Sequence, residues 1–461
     1  MTVDFTMQFP AGFLWGTATA AHQVEGGNTN NNWHAWEQAG RVFQGQTHGQ
    51  ACDWWGGRYE EDFDRAQALQ NNAHRFSIEW SRVEPEEGRF DDRALAHYAD
   101  MLAALQARGL EPMVTLHHFT DPLWISEQGG WTHRDTPERF ARFVRVVAET
   151  LGADVRLWCT INEPMVYAAQ GYLLGRFPPG RRNLGAMFTV TENMLRGHAA
   201  AYHAIKAVDP SAEVGFAKHQ ISLKTPWPRA LHYGALRLMR SVFNRAFVLA
   251  LTTGELRLPL RRAQVPEARD TLDWIGLNYY YRFQVSFHPL YPHQVFLRQT
   301  PPRDGIRGPG DTGEIWPEGL LEQIKWLCQT TGKPLYVTEN GVPDPGDNLR
   351  MVHMVRSLRS VWKAIMHSFP VRGYFYWTLV DNFEWSEGYD PRFRFGLYGC
   401  DPETQERTVR SSAALYRDIC AANALDSETI RRVIPDEFDA LFPGVDVQPR
   451  VTLPAREESQ L

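Results

Sequence analysis

Eight times along its 461 residues this chain repeats one pattern, a short run of β-formers followed by a longer stretch of helical periodicity. The candidate strands are Phe13–Thr17, Ala73–Ile78, Met113–His118, Leu157–Asn162, Val214–His219, Trp274–Asn278, Leu335–Glu339 and Tyr374–Trp377. Between them the apolar residues recur at helical spacing, most clearly over Asp92–Arg108, Pro137–Leu151, Glu192–Val208, Leu231–Thr253, Pro317–Thr331 and Leu349–His367. Alternation of this kind builds parallel strands covered by helices, and eight units is the number that closes a barrel. The expected fold is therefore α/β, a single (β/α)8 TIM barrel over residues 1–425. A polar, Pro-interrupted tail follows over 426–461, either wrapping the barrel or remaining without fixed structure.

A minimal barrel of this type takes about 250 residues, so roughly 200 here must be insertion. The long insertions follow strands, at Ala18–Asn72, Pro164–Thr191, Tyr279–Trp316 and Leu379–Arg410. Such loops open on the C-terminal face, where barrels of this type place their chemistry. They hold many of the chain's 16 tryptophans and are expected to wall a deep aromatic pocket.

Composition narrows the partners. The formal net charge is −6 and no Lys/Arg run is long enough to follow a phosphate backbone, so nucleic acid is not expected. The cysteines Cys52, Cys159, Cys328, Cys400 and Cys420 form no CxxC pair and fit neither a disulfide framework nor a zinc site. The start, MTVDFTMQFP, has no basic and apolar leader pattern, and no membrane-length apolar run is visible. A cytoplasmic protein without membrane, metal or cofactor is the expectation, with self-association left open.

Two glutamates stand where a barrel would bring them together. Thr160-Ile161-Asn162-Glu163-Pro164 ends the fourth strand and Thr338-Glu339-Asn340-Gly341 ends the seventh. Strand ends four and seven face each other across a barrel mouth. Glycosidic cleavage with retention needs two carboxyls about 5–5.5 Å apart, one protonated and one ionised. At that separation and an effective dielectric of about 20, their repulsion is about 3 kcal/mol, or two pKa units. Arg75, on the second strand, is expected to hold Glu339 ionised, so that Glu163 keeps the proton.

These fragments, with others, carry a family resemblance. Phe9-Pro10, Phe13-Leu14-Trp15-Gly16, Ala20-Ala21-His22-Gln23-Val24-Glu25-Gly26, Arg75-Phe76-Ser77-Ile78 and Asp381-Asn382-Phe383-Glu384-Trp385 occur in order with the Asn-Glu-Pro and Glu-Asn-Gly elements. From Phe9 to about Ala422 the chain resembles glycoside hydrolase family 1, the β-glucosidase family. The resemblance implies a retaining β-glucosidase, with β-galactosidase and β-fucosidase activity alongside, working on terminal non-reducing residues through a covalent glycosyl-enzyme. It makes Glu163 the acid/base, Glu339 the nucleophile, and Arg75, Tyr280 and Asn278 their supports. It assigns Gln23, His118, Asn162, Trp377, Glu384 and Trp385 to the sugar, with Trp377 as the platform and Asn162 at the 2-hydroxyl. The implied substrates are β-glucosides and short β-linked oligosaccharides such as cellobiose.

Several residues read more plainly as structure. His117 points away from the pocket if His118 faces it. Tyr279 and Tyr281 read as packing, and Glu79 and Glu84 as salt-bridged surface groups near Arg82. Gly313 stands where the family commonly has a tryptophan, which predicts a leaving-group side that is open or reshaped; a Gly313→Trp exchange would test it. Glu384 argues against a 6-phosphoglycoside substrate, Glu163 against a plant-type thioglucosidase, and the presence of both carboxylates against a barrel that only binds sugar.

Overall fold

The computed structural model describes residues 5–442 except 228, 292, 293, 303, 304, 310 and 311. The barrel strands are β1 (Leu14–Ala18), β2 (Ala73–Ser77), β3 (Glu111–Thr115), β4 (Leu157–Asn162), β5 (Glu213–Lys224), β6 (Trp274–Phe287), β7 (Leu335–Asn340) and β8 (Val371–Trp377). Each pairs in parallel with the next, and β8 returns to β1, so the sheet closes without an edge. The helices that follow them are α1 (Tyr59–Ala68), α2 (Asp92–Ala107), α3 (Thr136–Leu151), α4 (Leu184–Val208), α5 (Ala230–Met239, continued by Arg240–Arg245 and Ala246–Thr253), α6 (Gly319–Thr331), α7 (Arg350–Met366) and α8 (Ser411–Ala422). This is the (β/α)8 barrel expected from the alternation.

The reasons are local. In β4, Leu-Trp-Cys-Thr-Ile-Asn, every residue is buried, because a parallel strand is covered by helices outside and by barrel filling inside. In α3, Phe140, Phe143, Val144, Val147, Ala148 and Leu151 are buried, the three-and-four spacing of a stripe laid on the sheet, and Pro137 sits in the first turn where its missing N–H costs nothing.

Three elements differ from the sequence reading. β5 and β6 run past the barrel rim, pairing Ser222 with Arg282 and Lys224 with Gln284. The protruding part of β6 then takes two antiparallel partners, Leu297–Thr300 and Glu314–Ile315. Much of the expected loop Tyr279–Trp316 is thus sheet, as the aromatic and β-branched residues of Tyr-Tyr-Tyr-Arg-Phe-Gln-Val-Ser-Phe favour. α4 begins at Leu184, inside a segment read as insertion, where the Asn183 side chain caps it by accepting from the Ala186 N–H.

The ends of the described chain meet at the barrel base. Thr6–Gln8 pairs antiparallel with Ala424–Asp426, and the Asn423 amide donates to the Phe9 carbonyl while its oxygen accepts from the Trp15 indole. Beyond it Ser427–Val433 is helical, Phe438, Leu441 and Phe442 are buried, and Arg356 holds Glu437 through two bonds of 2.8 and 2.9 Å. The remainder of the expected tail, 443–461, lies outside the described residues. Among the described residues no helix is long and apolar enough to cross a membrane.

Candidate active site

β4 and β7 deliver the two glutamates by distinct backbone devices. Glu163 ends β4 in the left-handed region (φ 47°), where a non-glycine residue is held only by its surroundings. Its N–H donates to the Ala217 carbonyl of β5 (2.8 Å), and Pro164 opens the short helix Pro164–Ala168, which turns the chain out of the barrel. Glu339 is the penultimate residue of β7, level with Asn278 of β6. Its neighbour Asn340 ties β7 to both flanking strands, donating to the Tyr279 carbonyl (2.6 Å) and accepting from the Tyr374 hydroxyl (2.8 Å). Gly341 is required because a Cβ there would lie 2.0 Å from the Trp377 carbonyl oxygen.

One hydrogen-bonded network joins both carboxyls. The fully buried Arg75 donates to Glu339 Oε1 (2.6 Å), Thr115 Oγ1 (3.0 Å) and Asn162 Oδ1 (2.7 Å). The Tyr280 hydroxyl donates to Glu339 Oε2 (2.7 Å), so each oxygen of Glu339 has a donor. The Asn278 amide donates to Glu163 Oε1 (2.8 Å) and to Asn162 Oδ1 (3.0 Å), and its own oxygen accepts from Thr338 (2.6 Å). A guanidinium can only donate, which fixes Asn162 with its oxygen towards Arg75 and its Nδ2 towards His118 Nε2 (3.1 Å). The His118 proton therefore lies on Nδ1, a buried atom with no partner among the described residues.

Aromatic rings wall the space above. His118 lies nearly parallel to both Trp377 and Trp385, with centroids 5.9 Å away in each case and interplanar angles of 25° and 17°. Glu384 meets Gln23 at 3.4 Å, and the Gln23 amide also donates to the Phe383 carbonyl (2.8 Å), leaving Gln23 Oε1 buried without a partner among the described residues. Glu163, Glu339, His118, Asn162, Trp377, Glu384 and Trp385 thus border one cavity of about 190 Å³, with Tyr281, Thr312, Glu387, Phe393 and Phe395 towards its mouth. Arg75, Tyr280, Asn278 and Gln23 reach the same groups through the bonds above. Aromatic rings, polar side chains and two carboxyls converge there, as a pocket for a polyhydroxylated ring requires.

The charges are interdependent. Burial pushes Glu339 up to about 7, with the charge on Glu163 adding to it and Arg75 and Tyr280 opposing. Burial acts the same way on Glu163, but His219, Asn278 and Lys218 outweigh it and hold Glu163 below the usual glutamate range. Arg75 alone favours an ionised Glu339 and a protonated Glu163, and His219 adds a second basic partner, on the Glu163 side. His219 Nδ1 lies 3.0 Å from Glu163 Oε1. Arg75 is bonded to Glu339 and His219 to Glu163, so each carboxyl has its own basic partner and the two titrate as a linked pair. Glu384 is raised well above its usual range by burial, with Glu387 and Glu339 adding to it.

Other readings change. Glu79 and Glu84 are buried, not surface groups. Glu79 accepts from Ser81 and Thr120, and burial with the Glu25 charge pushes it up to about 7; Glu84 accepts from the Trp80 indole and pairs with Arg142. Arg82 pairs with Glu25 instead (2.7 Å). His117 bonds to Asp121 (2.9 Å), in keeping with a structural role. A side chain at Gly313 could not point into the pocket as expected, since φ is +137° and a Cβ would stand 2.6 Å from the Tyr281 Cβ. The pocket-lining residue there is Thr312.

His219 drew no attention in the sequence, because a histidine on a strand carries no motif; its position one residue past Lys218, on the strand next to β4, was the only signal. His22, Glu37 and His48 were also missed as a group that could offer metal ligands. Glu37 bonds to each histidine at 2.7 Å, closer than the roughly 3.4 Å separating two ligands on a tetrahedral zinc ion, so the cluster as it stands is a carboxylate bridging two histidines.

Known proteins with this arrangement are numerous. The profile described as Glycosyl hydrolase family 1 matches residues 5–425. A β-glucosidase A of Thermotoga maritima is 33% identical over 449 aligned residues, covering 91% of this chain and 99% of that protein. A β-galactosidase of Pyrococcus woesei is 30% identical, covering 90% and 98%. Among solved structures, a β-glycosidase from Pyrococcus horikoshii superposes with a TM-score of 0.86 at 35% identity, over 93% of this chain and 98% of its own.

Proposed function

The chain belongs to glycosyl hydrolase family 1 and is a β-glycosidase of that retaining family, and on that premise we propose how its own residues do the work. Glu339 attacks the anomeric carbon while Glu163 gives its proton to the leaving oxygen, forming a glycosyl ester; Glu163 then takes a proton from the water that hydrolyses it. The observation that carries this reading is the pairing of both Glu339 oxygens with fixed donors, Arg75 at 2.6 Å and Tyr280 at 2.7 Å. Such a carboxylate is aimed, and its charge is stabilised without reorganisation. Trp377 supplies the stacking face for the ring, Asn162 the partner for the 2-hydroxyl, and Gln23, His118, Glu384 and Trp385 the contacts to the remaining hydroxyls.

Terminal β-glucosyl residues are the substrate this reading favours, in simple β-glucosides and short β-linked oligosaccharides such as cellobiose. A relative from Thermotoga neapolitana bears the name 1,4-β-D-glucan glucohydrolase, which supports the gluco-configured substrates, and that from Pyrococcus woesei the name β-galactosidase, which supports galacto-configured sugars as secondary substrates; fuco-configured sugars are included with these. The five cysteines are buried free thiols, which suits a reducing compartment such as the cytoplasm. The barrel to residue 425 is the catalytic unit in this reading, and the stretch from 426 an appendage to its base.

The test is a panel of p-nitrophenyl glycosides comprising β-glucoside, β-galactoside, β-fucoside, α-glucoside and β-glucoside 6-phosphate. Turnover of the plain β-sugars, abolished in Glu339→Ala, is the expected result. Substantial turnover by that variant, with wild-type contamination excluded, would overturn the assignment of the nucleophile.

A further inference from the structure

His219 sits on β5 with its ring held by two aromatic neighbours. It stacks on Tyr280 (centroids 5.9 Å, 18°) and meets the edge of Phe243 (5.9 Å, 83°). Its backbone carbonyl accepts from the buried Lys218 ammonium. Its side chain borders the cavity and is 15% exposed. The Nδ1 atom so positioned lies 3.0 Å from Glu163 Oε1, the same oxygen that accepts from Asn278 at 2.8 Å.

With its proton on Nδ1, His219 donates to the oxygen that already accepts from Asn278, and two N–H donors on one carboxyl oxygen use both of its lone pairs. From this geometry we propose that His219 is a positioning residue for the acid/base, holding Glu163 through Oε1 so that Oε2 carries the proton delivered to the leaving group. The proposal rests on the reading of Glu163 as acid/base. When that proton passes from Oε2 to the glycosidic oxygen, the bond to the anomeric carbon breaks and Glu339 forms the ester. The carboxylate left on Glu163 is met by two donors already in place. The charged and titratable groups around His219 are Lys218 on its own strand, Glu163 on the adjoining turn, the Tyr280 hydroxyl on β6, and Glu339 with Arg75 across the cavity.

The consequence is selective. Help to the acid matters for leaving groups that need a proton and little for those that leave unaided. His219→Phe keeps a flat ring between Tyr280 and Phe243 but removes the donor. It is expected to lower kcat/KM for cellobiose by about tenfold or more while largely sparing 2,4-dinitrophenyl β-glucoside. Without the donor the Glu163 anion is less favoured, so the alkaline limb of the kcat/KM profile moves to higher pH. His219→Asn, whose amide keeps a donor near the same place, is expected to recover most of the loss. His219→Met, also without a donor, replaces the Phe variant should that fail to fold.

An equal loss on both substrates with an unmoved alkaline limb would overturn the proposal, as would an Asn variant no better than Phe. Glu163→Ala separates this from the underlying reading. Azide should restore its turnover of the dinitrophenyl glycoside and yield β-glycosyl azide. Absence of that rescue refutes Glu163 as acid/base; rescue together with an unchanged His219→Phe profile refutes the role of His219 alone.

Discussion

Arg75 and Glu339, 264 residues apart in sequence, meet at 2.6 Å with the guanidinium wholly out of solvent. Such a pair is not a cheap source of stability, because both charges lose their hydration. Here the guanidinium is also bonded to Thr115, Asn162 and the Thr338 carbonyl, so its donors are used and its plane is fixed. The ion pair orders the catalytic floor of the barrel as much as it holds it together.

Removing the arginine should therefore be costly twice. Arg75→Met leaves Glu339 buried beside Glu163 without its cation, and breaking a buried pair from one side typically costs about 3–5 kcal/mol. Denaturant unfolding should show a loss of that order. Activity should fall much further, because Glu339 would take up a proton and cease to be a nucleophile at neutral pH. A variant with wild-type turnover would contradict the assignment of Arg75 as support.

Tyr280→Phe isolates a smaller contribution to the same carboxylate. The lost hydroxyl donates to Glu339 Oε2 at 2.7 Å and opposes the upward push of burial. In the reacting form Glu163 is protonated and no longer pushes Glu339 up, and from that lower starting point loss of the hydroxyl favours neutral Glu339 and raises its pKa. Since Glu339 must be ionised to react, the acid limb of kcat/KM should move to higher pH, with activity at pH 6 reduced more than at pH 8. An acid limb that stays in place would show that Glu339 does not set it.

The barrel and most of its pocket were legible in the sequence for physical reasons. The alternation of β-run and helix survives any uncertainty in element ends, and Glu163, Glu339 and Arg75 lie at the ends or middles of strands whose order around the barrel follows from the count. What escaped notice depends on neighbours that only folding supplies. Glu79 and Glu84 carry the composition of a surface turn, and their burial is possible because Ser81, Thr120, Trp80 and Arg142 complete their bonding. His219 belongs to no motif, and its effect on Glu163 arises from a 3.0 Å contact between the middle of β5 and the turn that follows β4.

Gly341 tests whether the Glu-Asn-Gly element serves the backbone as well as the chemistry. A methyl group there would meet the Trp377 carbonyl oxygen at 2.0 Å, a contact with backbone that no rotamer relieves. Gly341→Ala must shift either the end of β7 or Trp377. The expected result is a lower Tm together with a raised KM for β-glucosides, since Trp377 forms one wall of the cavity. Unchanged Tm and KM would show that the strand ends yield more easily than this packing implies.

The leaving-group side offers the last distinction, between a missing wall and a displaced one. Gly313→Trp cannot restore a wall, because the backbone at φ +137° disfavours any side chain and the Tyr281 Cβ occupies the space. That variant should lose stability through strain, a result that says nothing of the aglycone. Thr312 borders the cavity, and Thr312→Trp should narrow its mouth beside Tyr281 and Phe395. Contacts confined to the leaving group change its selection by about 1–3 kcal/mol, so the ratio of kcat/KM for p-nitrophenyl and octyl β-glucosides should move by roughly tenfold or more. The pH limbs should stay where they are, since neither carboxyl gains or loses a partner. A ratio that does not move, in a variant that folds, would place the aglycone on another wall of the pocket.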